Sequence, residues 1–420
     1  MTPYARKILL ITAIMAIPLA AVFSGCSMML LTDDYAHVAI ADSHSLLLVV
    51  QNDLYPALRL SLEQYMQDAR SENHRTFLEV WAGGTAADMR DMFIDYRKER
   101  DISGVLLVGD LPVCWYEMVA HGRYEQFPCD VYLMDLDAAW TDEDGDGIMD
   151  AHSPLTIDIF LSRVSGSVSG LRGYFDKLHA YRSGSIQVEE RAYIFKDDDW
   201  ADYERGSAFD LNRIYDQLTI HENPEVTHRS NYLSILTGGG ASYVYQWMHA
   251  YPSALCIENG TSYEYLYVSD IADRNPKALF YNLFNCSAAR FTETNLAMSY
   301  LLETDFCLAT MGSTKIGGNY FPAPFHSVLS RGGTWGEAYR VWYNSFGNTD
   351  DAWFLGMVVL GDPLLKITTE ARQGLDSLSI SPVPPDEEEA DRLFLHMLEF
   401  EGDYGAEGYE TYRSNHPAYY

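Results

Sequence analysis

Short apolar runs bounded by turn residues alternate along this chain with segments whose apolar positions recur every three or four residues. Residues 46–50 (Leu-Leu-Leu-Val-Val) predict a buried strand, 55–71 a helix, 77–81 a second strand and 86–99 a second helix. A third strand at 104–110 ends on Gly-Asp. Strand and helix in strict alternation predict a parallel sheet with right-handed crossovers. A loop-rich stretch follows to 153, then a strand at 156–164 and an amphipathic helix at 168–182. The second half repeats this plan. Strands are expected at 191–195, 253–257, 278–284 and 307–312, helices at 211–218, 242–250, 294–302 and 335–344, and a closing apolar run at 358–365. The expected fold class is α/β, built as two consecutive, mostly parallel α/β subdomains (45–185 and 186–370) with flanking helices. Residues 371–420 are Pro-rich and acidic and read as a disordered tail, save a short helix at 391–399.

The run Ala278-Leu-Phe-Tyr-Asn-Leu-Phe-Asn-Cys286-Ser-Ala-Ala-Arg290 ends abruptly on a cysteine followed by small residues. A strand of that kind holds its sulfur at the carboxyl edge of the sheet, where open α/β folds place reactive groups. A thiol attacks only as thiolate, so it needs a base or a positive potential beside it. The plainer reading is a small apolar residue closing a strand.

Charge narrows the partners. Asp and Glu total 60 against 29 Lys and Arg, a formal net charge of −31. That argues against a basic face for nucleic acid or anionic lipid and favours solubility, cation binding or basic partners. The N-terminus reads as a targeting segment. Arg6 and Lys7 precede an apolar stretch, and Phe23-Ser24-Gly25-Cys26 resembles a bacterial lipobox. This predicts a signal peptide over 1–25, lipidation at Cys26, a tether over 26–44 and a lipid-anchored place in the cell envelope. An uncleaved anchor running on to Leu31 is the alternative. Cys114 and Cys129 could pair in an oxidising compartment.

Asp142-Glu-Asp144-Gly-Asp146-Gly-Ile148-Met-Asp150 places carboxylates at alternate positions with Gly for a tight turn. Asp142, Asp144, Asp146 and Asp150, with the carbonyl of Ile148, can surround one hard cation, which is calcium chemistry in a structural role. Residue 153 is Ser, so the loop is not a complete EF-hand. A second acidic loop, 197–199, is expected to be solvated; helping, with Trp200, to bind a basic substrate side chain is the alternative.

Several motifs in order carry a family resemblance. They are Val105-Leu-Leu-Val-Gly-Asp-Leu-Pro112, the acidic turn at 135–150 and Asp158-Ile-Phe-Leu-Ser-Arg163. Phe284-Asn-Cys-Ser-Ala-Ala-Arg-Phe-Thr-Glu293, Ala309-Thr-Met-Gly-Ser-Thr-Lys315 and Leu360-Gly-Asp-Pro363 follow. Across 46–367 the chain resembles the gingipain-type cysteine peptidases, a family with the caspase-like α/β fold. The resemblance implies an exported cysteine endopeptidase with Cys286 as nucleophile and no catalytic cofactor. It also implies a His at the end of the preceding strand, as base for the thiol. The strand predicted there ends Cys256-Ile-Glu258-Asn259-Gly260, so Glu258 or Asn259 stands where the His is expected. Asn accepts no proton, and a carboxylate raises the thiol's pKa. His249 and His326 are the alternative bases; His221 and His228 could approach only through the fold. Asp158, at the supporting acid's place, either orients a His or pairs with Arg163. Two readings stay open: an active peptidase whose base comes from elsewhere, and an inactive pseudo-peptidase that binds peptide or protein without cutting it.

Overall fold

The computed structural model describes residues 37–200, 211–260, 262–367 and 387–400. Ten strands form one sheet. From edge to edge they are Gln217–His221, Arg191–Lys196, Ala241–Trp247, Ala278–Phe284, Ala309–Ser313, Met357–Gly361, Phe160–Val164, Gly104–Val108, Ser45–Gln51 and Arg75–Trp81. Every neighbouring pair is parallel except Ala309–Ser313 against Met357–Gly361, which run antiparallel. The sheet is therefore two five-stranded parallel blocks pointing in opposite directions and joined at one seam. At that seam Gly361 has φ 96, and a Cβ there would meet the Leu308 carbonyl at 2.4 Å, so no larger residue fits. The mixed, mostly parallel α/β architecture is the one expected.

Most elements fall where periodicity puts them. The helices Tyr55–Ser71 and Val168–Arg182 agree with their predicted spans. Arg172 of the second donates to the carbonyl of Ala57 in the first, at 2.7 and 3.1 Å. Two segments differ. Residues 211–218, expected as helix, split into a single turn, Leu211–Arg213, and the start of an edge strand, Gln217–His221. Residues 242–250, also expected as helix, are the central strand Ala241–Trp247 and the short strand His249–Tyr251. All seven residues of that central strand are buried. A strand covered on both faces has no polar alternation to announce it, and here aromatic and β-branched residues prevail over the helical spacing.

The two faces of Ala241–Trp247 show the layering, because side chains alternate along a strand. Tyr243 points to the layer of Ala323–Ser330 and Trp335–Ser345, where its hydroxyl meets His326 Nε2 at 2.7 Å and its ring lies 6.0 Å from Trp335. Gln246 points the other way, accepting from Tyr232 of the helix Arg229–Thr237 at 2.6 Å. The segment 253–257 lies outside this sheet. It is part of Ala254–Asn259, the middle strand of a small antiparallel sheet with His249–Tyr251 and Ser262–Tyr267.

The tail is not wholly solvated. A helix spans Glu387–Phe400, and Ala390, Leu393, Phe394 and Met397 are buried. Their spacing of three and four is one apolar face. Among the described residues no helix is long and apolar enough to cross a membrane. The signal peptide, Cys26 and most of the tether lie outside the described residues.

Candidate active site

The strand Ala278–Phe284 is fully buried, and the residue after it fastens it to its neighbour. Asn285 donates to the Met248 carbonyl at 2.6 Å and accepts from Gln246 at 2.7 Å. The parallel register sets Trp247 opposite Phe284. One step on, Met248 lies beside Asn285, whose side-chain amide donates to its carbonyl; His249 and Cys286 are the next residues along the two segments. The strand that neighbours the Cys286 strand is thus Ala241–Trp247, not the segment ending at Glu258. His249, rather than Glu258 or Asn259, follows the end of that neighbouring strand.

Beyond Cys286 the chain turns sharply. Ser287 adopts φ 55, its N–H bonds the Lys315 carbonyl at 2.8 Å, and Ala289 N–H bonds the Ser313 carbonyl at 2.9 Å. Cys286 therefore stands at the carboxyl edge of its block, between the end of the His249 strand and the end of Ala309–Ser313, as the sequence suggests. It is only 2% exposed.

His249 Nε2 lies 3.3 Å from Asp199 Oδ2, and the imidazole is 1% exposed. Burial pushes the imidazole pKa down, and the Asp199 carboxylate pulls it back only in part. The ring is thus neutral near pH 7. Its contact with a carboxylate favours the proton on Nε2 and leaves Nδ1 as the basic nitrogen. Burial alone would raise Asp199, but its contacts with His249 and the Tyr263 hydroxyl, 2.7 Å away, hold it below the usual carboxylate range. Glu258 moves the opposite way, raised by burial and by its hydrogen bond to Asp199. Asp197, wholly buried, is pushed up to about 9 by desolvation, although one carboxylate oxygen accepts the Glu258 N–H at 2.7 Å. The loop expected to be solvated is instead the acid beside the candidate base. Nothing in the chain announces this: Asp199 and His249 are brought together only by the fold.

The other candidates serve the framework. Asn259 is exposed on its hairpin and bonds Glu264 at 3.0 Å. Asp158 neither pairs with Arg163 nor reaches the His249 cluster; it accepts the Leu136 N–H at 2.8 Å. Arg163 pairs with Asp130 instead, at 2.7 Å, with both partners buried. His326 is held by Tyr243 in the core. His228 caps a helix, accepting the Asn231 N–H at 3.3 Å. Cys114 and Cys129 are both thiols. Their backbones hydrogen-bond at 2.9 Å, but the sulfurs turn to the carbonyls of Trp115 and Leu355.

In the acidic loop Gly145 and Gly147 take positive φ. Asp142 accepts the N–H groups of both, at 2.7 and 2.8 Å, which folds the loop tightly. Carboxylate oxygens of Asp142, Asp144 and Asp146 lie within 4.8 Å of one another. So do those of Glu117, Asp144 and Asp150. Glu117, from the strand Trp115–Ala120, is a contributor no local motif could show.

The C-terminal helix completes the surroundings of the sulfur. His396 lies 5.3 Å from His249 and 4.8 Å from Trp200, ring to ring. Phe394 packs on Trp353 at 5.0 Å and beneath the Lys315 ammonium at 5.4 Å. His249 and Lys315 follow the strands on either side of the Cys286 strand, so the helix packs against one residue on each flank.

No curated protein matches this chain. Among solved structures, a periplasmic binding ribose operon repressor protein from Lactobacillus acidophilus aligns over 73% of this chain and 92% of its own, at 9% identity and TM-score 0.15. A sugar ABC transport system substrate-binding protein from Bordetella parapertussis 12822 aligns over 70% and 82%, at 12% identity and TM-score 0.16. Scores this low carry no structural argument. The sequence model of peptidase family C25 matches residues 76–368, a span that holds Asp199, His249 and Cys286, and the chain belongs to that family, the gingipain family of cysteine peptidases.

Proposed function

We propose that this protein is a cysteine endopeptidase of the gingipain type, in which Cys286 is the nucleophile and His249 its base. The observation that supports the reading is that His249 and Cys286 each stand two residues beyond a register pair, Trp247 and Phe284, of adjacent parallel strands. His249 takes the thiol proton, and the sulfur adds to the peptide carbonyl. As the tetrahedral intermediate collapses, the C–N bond breaks and the imidazolium protonates the departing amine. Water, deprotonated by the same imidazole, then releases the acyl group and restores the thiol. Asp199 orients the ring and stabilises its cationic form, and Tyr263 and Glu258 hold Asp199 in place. The test is labelling by an electrophilic peptide probe. Mass spectrometry should find the adduct on Cys286; a folded protein that takes no label is a pseudo-peptidase. The burial of Cys286, only 2% exposed, favours that second reading.

The acidic loop is proposed as a structural calcium site, held by Asp142, Asp144, Asp146, Asp150 and the Ile148 carbonyl, with Glu117 adjoining. Five carboxylates within nine residues, Glu143 included, repel one another unless a cation neutralises them. Saturating Ca²⁺ at about 100 times Kd would add roughly 2.7 kcal/mol. Chelation is therefore expected to lower Tm by several degrees, and Asp144→Asn with Asp146→Asn to abolish the effect. A Tm indifferent to both Ca²⁺ and chelator removes the site.

The N-terminal motif supports an exported protein lipidated at Cys26 and anchored in the cell envelope. Cys26→Ala should eliminate incorporation of labelled fatty acid. Equal labelling of the variant rejects the lipidation.

A further inference from the structure

The proposed reaction makes no use of the helix Glu387–Phe400, yet this helix brings a third metal-binding side chain to the candidate base. We propose that Asp199, His249 and His396 form a site for a divalent transition cation of the Zn²⁺ class, and that the bound metal pins the C-terminal helix across Cys286. The regulatory half of this rests on Cys286 and His249 being the reactive pair; metal binding does not.

The three residues come from separate elements: the turn Asp198–Trp200, the strand His249–Tyr251 and the C-terminal helix. One ligating atom from each lies within 4.8 Å of the other two. His249 Nε2 and Asp199 Oδ2 are 3.3 Å apart. Bonds of ~2.0–2.1 Å in a tetrahedron put ligands about 3.4 Å from each other, so this edge is already of the right length. Two imidazoles and one carboxylate are an N/O set that suits zinc rather than calcium, which takes oxygen alone. The fourth position is left for water.

The surroundings are those of a held site. Tyr263 donates to the same Asp199 oxygen at 2.7 Å, the kind of outer contact that orients a metal-binding carboxylate. Trp200, wholly buried, lies against both imidazoles, 5.1 Å from His249 and 4.8 Å from His396. On the helix, His396 is flanked by the buried Leu393, Phe394 and Met397, so the packing that seats the helix also aims the ring.

Occupancy would silence the base by a simple route. A neutral imidazole carries one ring proton, and metal on Nε2 leaves that proton on Nδ1. No lone pair then remains for the thiol proton. The same ion ties the helix to the His249 strand and keeps peptide from the sulfur. Metal release frees the base and loosens the cover together.

The test uses the full chain, stripped by a chelator and titrated with Zn²⁺ against a chromogenic competitor. His396→Phe keeps an aromatic ring on Trp200 and removes the nitrogens. Asp199→Asn is a second, nearly isosteric probe. One Zn²⁺ is expected to bind the native chain and Cys286→Ala alike, and at least ~10-fold more weakly in the other two variants. Zn²⁺ should also slow amide exchange across 387–400 and depress native hydrolysis, with neither response in His396→Phe. Equal zinc affinity in native and His396→Phe overturns the site. So does loss of binding in Cys286→Ala, which would put the metal on the thiol. Zinc binding that needs His396, with no hydrolysis by any variant, upholds the site and removes the peptidase reading.

Discussion

Replacing Cys286 by Ala is expected to abolish thiol-dependent hydrolysis, a loss of at least ~10³-fold in kcat/KM, together with all labelling by an electrophilic peptide. The fold should be untouched. The substitution removes one buried atom from a residue whose neighbours are held by other bonds: Asn285 to Met248 and Gln246, Ser287 to Lys315, Ala289 to Ser313. Peptide affinity should survive, because the strand ends that flank the sulfur stay in place. Hydrolysis that persists unchanged in Cys286→Ala takes the enzyme assignment away. Labelling and turnover are both to be measured with zinc chelated, so that a covered site is not mistaken for an inert one.

His249→Asn should lower kcat by about 10²- to 10⁴-fold, with a much smaller change in KM. Asn fills nearly the same space and can still face Asp199, but it cannot hold a proton between attack and departure of the amine. Nucleophile and base act as one unit, so the variant combining Cys286→Ala with His249→Asn should be no slower than Cys286→Ala alone. An effect on KM with kcat preserved would assign His249 to binding. Retained turnover in His249→Asn, coupled to loss in His326→Gln, would transfer the base to a residue now seen bonded to Tyr243.

Cys286 was legible because a long apolar run breaks off at it, and a parallel sheet sends such breaks to its carboxyl edge. His249 was visible as a candidate but misplaced. Ser-Tyr-Val-Tyr-Gln-Trp-Met, at 242–248, is apolar or aromatic on both faces, and period alone does not separate a doubly buried strand from a helix. Once that segment is read as helix, the next apolar run, 253–257, is pressed into the wrong sheet, and Glu258 and Asn259 inherit a place they do not hold. Asp199 was out of reach for another reason: acidic loops look solvated, and only pairing across the sheet edge shows which carboxylate is covered. The same holds for Glu117 near the acidic loop. The helix at 387–400 was legible as the shorter segment 391–399; the acidic run 386–389 masked its first turn and with it the full apolar face of Ala390, Leu393, Phe394 and Met397. By contrast, Tyr55–Ser71 and Val168–Arg182 each bury one face and expose the other, so their amphipathic period is plain.

The antiparallel seam sets the order in which this molecule can assemble. Among the described residues, Met357–Gly361, drawn from late in the chain, is the strand that covers the Phe160–Val164 flank of the first block. A nascent chain must wait almost two hundred residues before that flank finds its partner. Until then a row of backbone donors and acceptors stays open to any extended segment, foreign or its own. Pairings of such long sequence separation are slow to form. The first half cannot be cut away as an independent piece: the strand that finishes it is carried by the second.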